Sequence, residues 1–204
     1  MTPVERWYHR LRFGSPIIVV SGLPRSGTSM AMKMLDAGGL PTLRDGLRAP
    51  DESNPKGYYE FEPVKRLDKN GHTAWLVDAR GKAVKIISFL LTFLPETFDY
   101  QVVFMERNLD EVLASQNKML VARGERPDTA NDRKMRQVYE QHLEKVDRFL
   151  QHRRCFTTLT VRYRDAIENP AAEARRINKF LGRRLNVERM AAVADRDLYR
   201  NRTE

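Results

Sequence analysis

The chain has 204 residues, 41% apolar and 31% charged, and its 36 basic against 27 acidic side chains leave a net charge of +9. That length and composition predict a globular domain over 1–204 with a sizeable core, and exclude a disordered or collagenous chain. The charge favours anionic partners without choosing among nucleic acid, lipid and an anionic cofactor.

The single cysteine, Cys155, rules out an intramolecular disulfide and a cysteine-rich zinc site, and its place at the head of a strand-like run predicts a buried thiol rather than a nucleophile. Residues 1–13 are polar and lack the apolar core of a signal peptide. The longest apolar stretch, 86–94, is far short of the roughly 20 residues a membrane span needs. A cytoplasmic protein with no membrane span is the expectation.

Residues 4–13 mix aromatic and basic side chains and read as a short helix or an edge segment. Residues 17–21 form an apolar run without alternation, the pattern of a parallel strand buried on both faces. The chain then reads Gly22-Leu23-Pro24-Arg25-Ser26-Gly27-Thr28-Ser29, a loop bounded by two glycines that opens a helix over 28–37. Met30, Ala31, Met34 and Leu35 share one face of that helix, and Gly38-Gly39 stops it. A strand, a glycine loop and a helix N-terminus in succession place backbone N–H groups and hydroxyls where a phosphate binds. The Gly22-x4-Gly27 spacing is half of the nucleoside-triphosphate loop signature, but Thr28 stands where that signature has Lys, and the nearest cation is Arg25.

Residues 40–72 are irregular, with seven Pro or Gly among them, and too long for a plain connector. Residues 75–78 read as a short strand or a helix end, and 83–88 as a second buried strand running into 89–94. Residues 100–106 are a third strand ending at Arg107. A helix follows immediately, with Asn108 as its N-cap and Asp110 and Glu111 in its first turn. A longer helix covers 131–152, its apolar face running through Met135, Val138, Tyr139, His142, Val146, Phe149 and Leu150. Residues 156–163 are a fourth strand; Asn169-Pro170 caps and opens a helix reaching Gly182, and a last helix covers about 187–195 ahead of a basic tail at 196–202. Strands alternating with helices predict a three-layer α/β fold of the P-loop type, a central parallel β-sheet flanked by helices.

Ligands in parallel α/β sheets sit at the carboxyl ends of strands. Gly22–Ser29 and Arg107–Ser115 are both strand-to-helix junctions and therefore face one edge. An Arg and a Ser so placed suit a second, separate phosphate. Pro24-Arg25-Ser26-Gly27-Thr28-Ser29, followed by Arg107-Asn108-Leu109-Asp110 and Ser115, resembles the sulfotransferases that use 3′-phosphoadenosine 5′-phosphosulfate (PAPS), in the bacterial and protein-tyrosine branch, over about residues 15–182. Leu109 departs from the Pro usual there, and the late Gly-rich basic loop of the animal cytosolic enzymes is missing. Tyr163-Arg164-Asp165 resembles the family's Tyr-Glu-Asp segment.

The resemblance implies a sulfotransferase with PAPS as cosubstrate, 3′,5′-ADP as product, and no metal. Residues Arg25, Ser26, Gly27, Thr28 and Ser29 would hold the 5′-phosphosulfate, Arg107 and Ser115 the 3′-phosphate, and Arg25 would neutralise the departing phosphate. Lys85, ahead of an Ile-Ile-Ser-Phe-Leu-Leu segment, would reach the transferring group. The acceptor hydroxyl, or less readily amine, needs a base. Glu60, in Gly57-Tyr58-Tyr59-Glu60, is the first candidate, with Glu62 and His72 as competitors; His9 has nothing to tie it to the site, and His142 and His152 read as structural. The expected acceptor is a small molecule, glycan or lipid enclosed by 40–72, 123–131 and the tail, with Arg196, Arg200 and Arg202 standing in for the absent loop. The rival functions are a P-loop kinase or NTPase, disfavoured by Thr28, and a basic nucleic-acid-binding domain, disfavoured by the dispersal of the basic residues.

Overall fold

Ile17, Ile18, Val19 and Val20 are wholly buried, and strand β1 (Ile17–Gly22) that carries them lies inside a four-stranded parallel sheet of order β2-β1-β3-β4. The computed structural model describes residues 14–45, 59–69, 72–126 and 131–194. The segment 4–13, His9, Gly57, Tyr58 and the basic tail with Arg196, Arg200 and Arg202 lie outside them. The other strands are β2 (Ala83–Lys85), β3 (Tyr100–Glu106) and β4 (Phe156–Arg162). Among the described residues six α-helices accompany them: α1 (Thr28–Ala37), α2 (Leu109–Ala122), α3 (Asp132–His152), α4 (Tyr163–Glu168), α5 (Pro170–Leu181) and α6 (Val187–Ala191).

The absence of alternation in β1 has a direct cause: both faces are covered. Ile18 and Val20 join Val103 and Met105 of β3 in a core with Met32, Met34 and Leu35 of α1, Ile177 and Leu181 of α5 and Met190 of α6. Ile17 and Val19 join Tyr100, Val102 and Phe156 in a second core with Val146 and Leu150 of α3 and Leu76 and Leu91 of two 3-10 turns. Three layers result. All strands run parallel, so their carboxyl ends, at Gly22, Lys85, Glu106 and Arg162, make one edge. No described helix is long and apolar enough to cross a membrane.

Several sequence expectations need correction. The second strand stops at Lys85, and residues 88–93 wind into a 3-10 helix. An unbroken apolar run does not distinguish strand from buried turn. Residues 74–76 are likewise a 3-10 turn, with Trp75 Nε1 donating to the His72 carbonyl. Tyr163 begins α4 rather than ending β4. Met135 and Val138 are exposed, so the apolar face of α3 is buried only from Tyr139 onward. Met32 is fully buried in the first core although it falls outside the predicted stripe. The last helix ends at Ala191, and Asn169 precedes Pro170 without capping α5 by its side chain. Cys155 lies just before β4 and is half-buried; burial pushes its thiol up to about 11, which keeps it protonated and unreactive at neutral pH.

Helix α3 is pinned to the 3-10 helix that follows β2 by His142. Its Nε2 lies 2.9 Å from Ser88 Oγ, and its ring stacks on Phe89 at 3.8 Å. Burial, with a smaller contribution from Lys145, lowers the His142 pKa. A proton binds this imidazole more readily in the unfolded chain, so its stabilising contact is complete above the ordinary His pKa of about 6.5 and is lost as pH falls below it. The wild type is therefore expected to lose more thermal stability than H142Q between about pH 7 and about pH 5, measured by thermal unfolding across that range. Equal losses would contradict this assignment.

Candidate active site

Gly22 ends β1 and the chain turns sharply. Arg25 (φ 69°) and Gly27 (φ 101°) both adopt positive φ, and Ser26 N–H donates to the Leu23 carbonyl at 3.1 Å. A Cβ on Gly22 would lie 2.4 Å from Ser26 Oγ and 2.5 Å from the Met105 carbonyl oxygen, so only glycine lets the loop fold this tightly against β3. Helix α1 starts at Thr28 with Gly27 as N-cap, and Gly27 has no side chain with which to cap it. The N-terminus of α2 is different, for Asn108 accepts from the Asp110 and Glu111 N–H groups. Side-chain capping thus closes the N-terminus of α2 and is absent at that of α1. Ser21 Oγ and Ser26 Oγ are buried without a hydrogen-bond partner, at a cost of about 1–3 kcal/mol each. An anion in the loop would supply the acceptors they lack, and the site fits a phosphate on this ground.

Two clusters flank the end of β1. On the β3 side, Arg107 Nε donates to Glu111 Oε2 at 2.9 Å, and the two side chains are 7% and 4% exposed. Arg107 Nη1 donates to the Arg25 carbonyl at 3.2 Å, while its guanidinium lies 4.4 Å from the Tyr163 ring centre. Arg25 Nε in turn donates to Ser115 Oγ at 3.0 Å. The loop and the second junction, expected as separate phosphate sites, are thus one connected cluster, with Arg25 bridging them. Glu111 is the member that sequence reasoning missed; its i, i+4 spacing from Arg107 was a readable signal.

On the β2 side, Val20 pairs in register with Lys85. Lys85 Nζ lies 4.0 Å from Glu60 Oε1, with side chains 10% and 20% exposed. Glu60 and Lys85, two of the three predicted catalytic residues and 25 positions apart in sequence, therefore meet at the carboxyl edge. Lys65 Nζ reaches the same carboxylate at 3.6 Å and Glu62 at 2.9 Å. Glu62 faces Lys65 and solvent rather than Lys85, and His72 is exposed. Ser26, Gly27, Thr28 and Ser29 stand together at the head of α1. A cavity of about 150 Å³ adjoins Ser26 and Arg107, walled by Leu143, Val146 and Leu150 of α3 and by Thr158 and Thr160 of β4.

A family model described as the sulfotransferase family matches residues 58–186, more than half of the chain. The match begins after the glycine loop. Sulfotransferase STF1 from Mycobacterium tuberculosis H37Rv superposes with a TM-score of 0.56 at 18% identity, over 93% of this chain and 74% of that one. The sulfotransferase domain of the Synechococcus PCC 7002 olefin synthase gives 0.53 at 16% identity, over 93% and 84%. The sulfotransferase domain from the curacin biosynthetic pathway gives 0.47 at 18%, over 83% and 74%. The first two share the α/β fold of this chain. No protein of curated function matches the chain.

Proposed function

Because the chain belongs to the sulfotransferase family, we propose that it transfers a sulfuryl group from PAPS to an acceptor hydroxyl, releasing 3′,5′-ADP. The observation that carries this reading is the Glu60–Lys85 pair, a carboxylate and an ammonium held 4.0 Å apart beside the anion loop. When bound, the donor supplies an activated sulfuryl group on a phosphate leaving group. The N–H groups opening α1, with Thr28 and Ser29, hold its 5′ end. Arg107, oriented by Glu111, and Ser115 hold the 3′-phosphate. Arg25 carries positive charge on the loop itself, where the departing phosphate gains negative charge, and fixed cations in a partly buried site stabilise such charge strongly. Glu60 takes the acceptor proton, and Lys85 holds that carboxylate turned inward. The acceptor is a small molecule, glycan or lipid bearing a hydroxyl.

Isothermal titration with 3′,5′-ADP tests the donor half. Micromolar binding is the expected result; a folded protein that does not bind it would overturn the reading. Replacing Arg107 removes charge-assisted hydrogen bonds worth about 1.5–3 kcal/mol, which predicts roughly 10- to 100-fold weaker binding. R107A also strands the buried Glu111 carboxylate, so the double variant R107M/E111Q makes the same test without an unpaired charge.

A further inference from the structure

The segment carrying Glu60 is fastened on two sides. On one side Asp45 N–H donates to the Glu60 carbonyl at 3.2 Å, and the Asp45 carboxylate accepts from Glu62 N–H. Residues 42–45 are themselves tied to the sheet edge, with Leu43 N–H donating to the Ala83 carbonyl at 2.8 Å. On the other side stands Tyr59. Its hydroxyl donates to Asp36 Oδ2 at 2.9 Å, at the C-terminal end of α1. Its ring packs on the core between the sheet and α1 and lies 5.0 Å below the Arg44 guanidinium, and Arg44 pairs with Asp36 at 3.4 Å.

Tyr59 also has φ 50°, a conformation that glycine and asparagine adopt readily and an aromatic residue rarely does. Such a backbone persists only where its surroundings hold it. The ring packing, the Asp36 bond and the Arg44 contact are that hold. Burial and the Asp36 carboxylate push the Tyr59 phenol up to about 12, so it stays a donor at any physiological pH.

We propose that Tyr59 is the positioning residue for Glu60: its bond to Asp36 fixes the backbone turn that aims the Glu60 carboxylate at Lys85. This rests on Glu60 being the base of the proposed transfer. Without the Tyr59 hydroxyl the turn relaxes on one side. Lys65, exposed and already 3.6 Å from Glu60, then draws the carboxylate outward and away from Lys85.

Y59F tests this, since it keeps the ring and removes only the hydroxyl; D36A removes the acceptor instead. Two readouts separate positioning from stability. The first is acylation of Lys85 by an acetyl N-hydroxysuccinimide ester, read by peptide mass spectrometry on the intact protein. Lys85 is expected to label several-fold faster in both variants while 3′,5′-ADP affinity stays at the wild-type value. The second is 3′,5′-ADP release from PAPS with a panel of phenol, sugar and long-chain alcohol acceptors. Turnover falls about 10- to 100-fold, and the loss appears in kcat with the KM for PAPS unchanged, because the carboxylate no longer stands where the acceptor hydroxyl meets it. Unchanged Lys85 labelling in both variants overturns the proposal, as does a wild-type kcat in Y59F. If the wild type shows no turnover with any acceptor, the transfer reading falls, while faster Lys85 labelling still upholds the hold of Tyr59 on the pair.

Discussion

Glu60→Gln is expected to lower sulfuryl transfer by about 10²- to 10⁴-fold, the range for removal of a general base, with 3′,5′-ADP binding left intact. The amide keeps the shape and the backbone contacts of Glu60 but cannot take a proton at neutral pH. The donor loop lies across the end of β1 from the Glu60–Lys85 pair, so the loss appears in kcat rather than in donor affinity. Glu62→Gln is the companion measurement. Glu62 pairs with the exposed Lys65 and stands away from Lys85, so its replacement leaves turnover within about twofold of the wild type, as expected for a weak surface pair. An E60Q enzyme with full activity, or an E62Q enzyme with none, would move the base from Glu60 to another group.

Gly27→Ala is expected to cost the fold and the anion site together. Gly27 has φ 101°, and a Cβ there would stand 2.4 Å from Tyr163 Cδ2 and 2.9 Å from Cε2. Such an approach forces the ring aside. The Tyr163 ring is also the platform for the Arg107 guanidinium, so the displacement reaches the second cluster. Backbone strain and overpacking add to about 2–5 kcal/mol of lost stability, or roughly 5–15 °C in Tm for a chain of this size. Titration with 3′,5′-ADP well below the lowered Tm should show binding greatly weakened. Gly39→Ala is the control: Gly39 has φ 91° but open space around its Cα, so it bears the backbone cost alone and keeps the ligand. Equal losses in the two variants would refute the role given to the Tyr163 contact.

The two junctions behaved differently as sequence signals. Asn108 was legible as the cap of α2, because a side chain that caps its own helix acts within three residues. The missing side-chain cap of α1 was also local, since Gly27 has nothing to cap with. The 40–72 stretch was legible only as irregular. Its described part is held by the Leu43, Asp45 and Tyr59 contacts, which depend on strand β2 and helix α1 being in place first. The end of β2 was unreadable for a related reason: residues 83–94 are mostly apolar, with Lys85, Ser88 and Thr92 the exceptions, and the switch from strand to 3-10 helix comes where Ser88 meets His142 across to α3.

By itself the sequence determined the α/β alternation, the double-sided burial of β1, the glycine loop at the head of α1 and the residue types at the carboxyl edge. These follow from periodicity and backbone freedom, properties that act over a few residues. The tertiary structure alone decided that Arg25 bridges to Ser115, that Glu111 accompanies Arg107 in near-complete burial, and that Glu60 rather than Glu62 faces Lys85. Those facts depend on which side chains the parallel register brings to one edge and how deeply they are buried there; the spacing of Arg107 and Glu111 encodes their pairing but not its burial, and no spacing encodes the other two contacts.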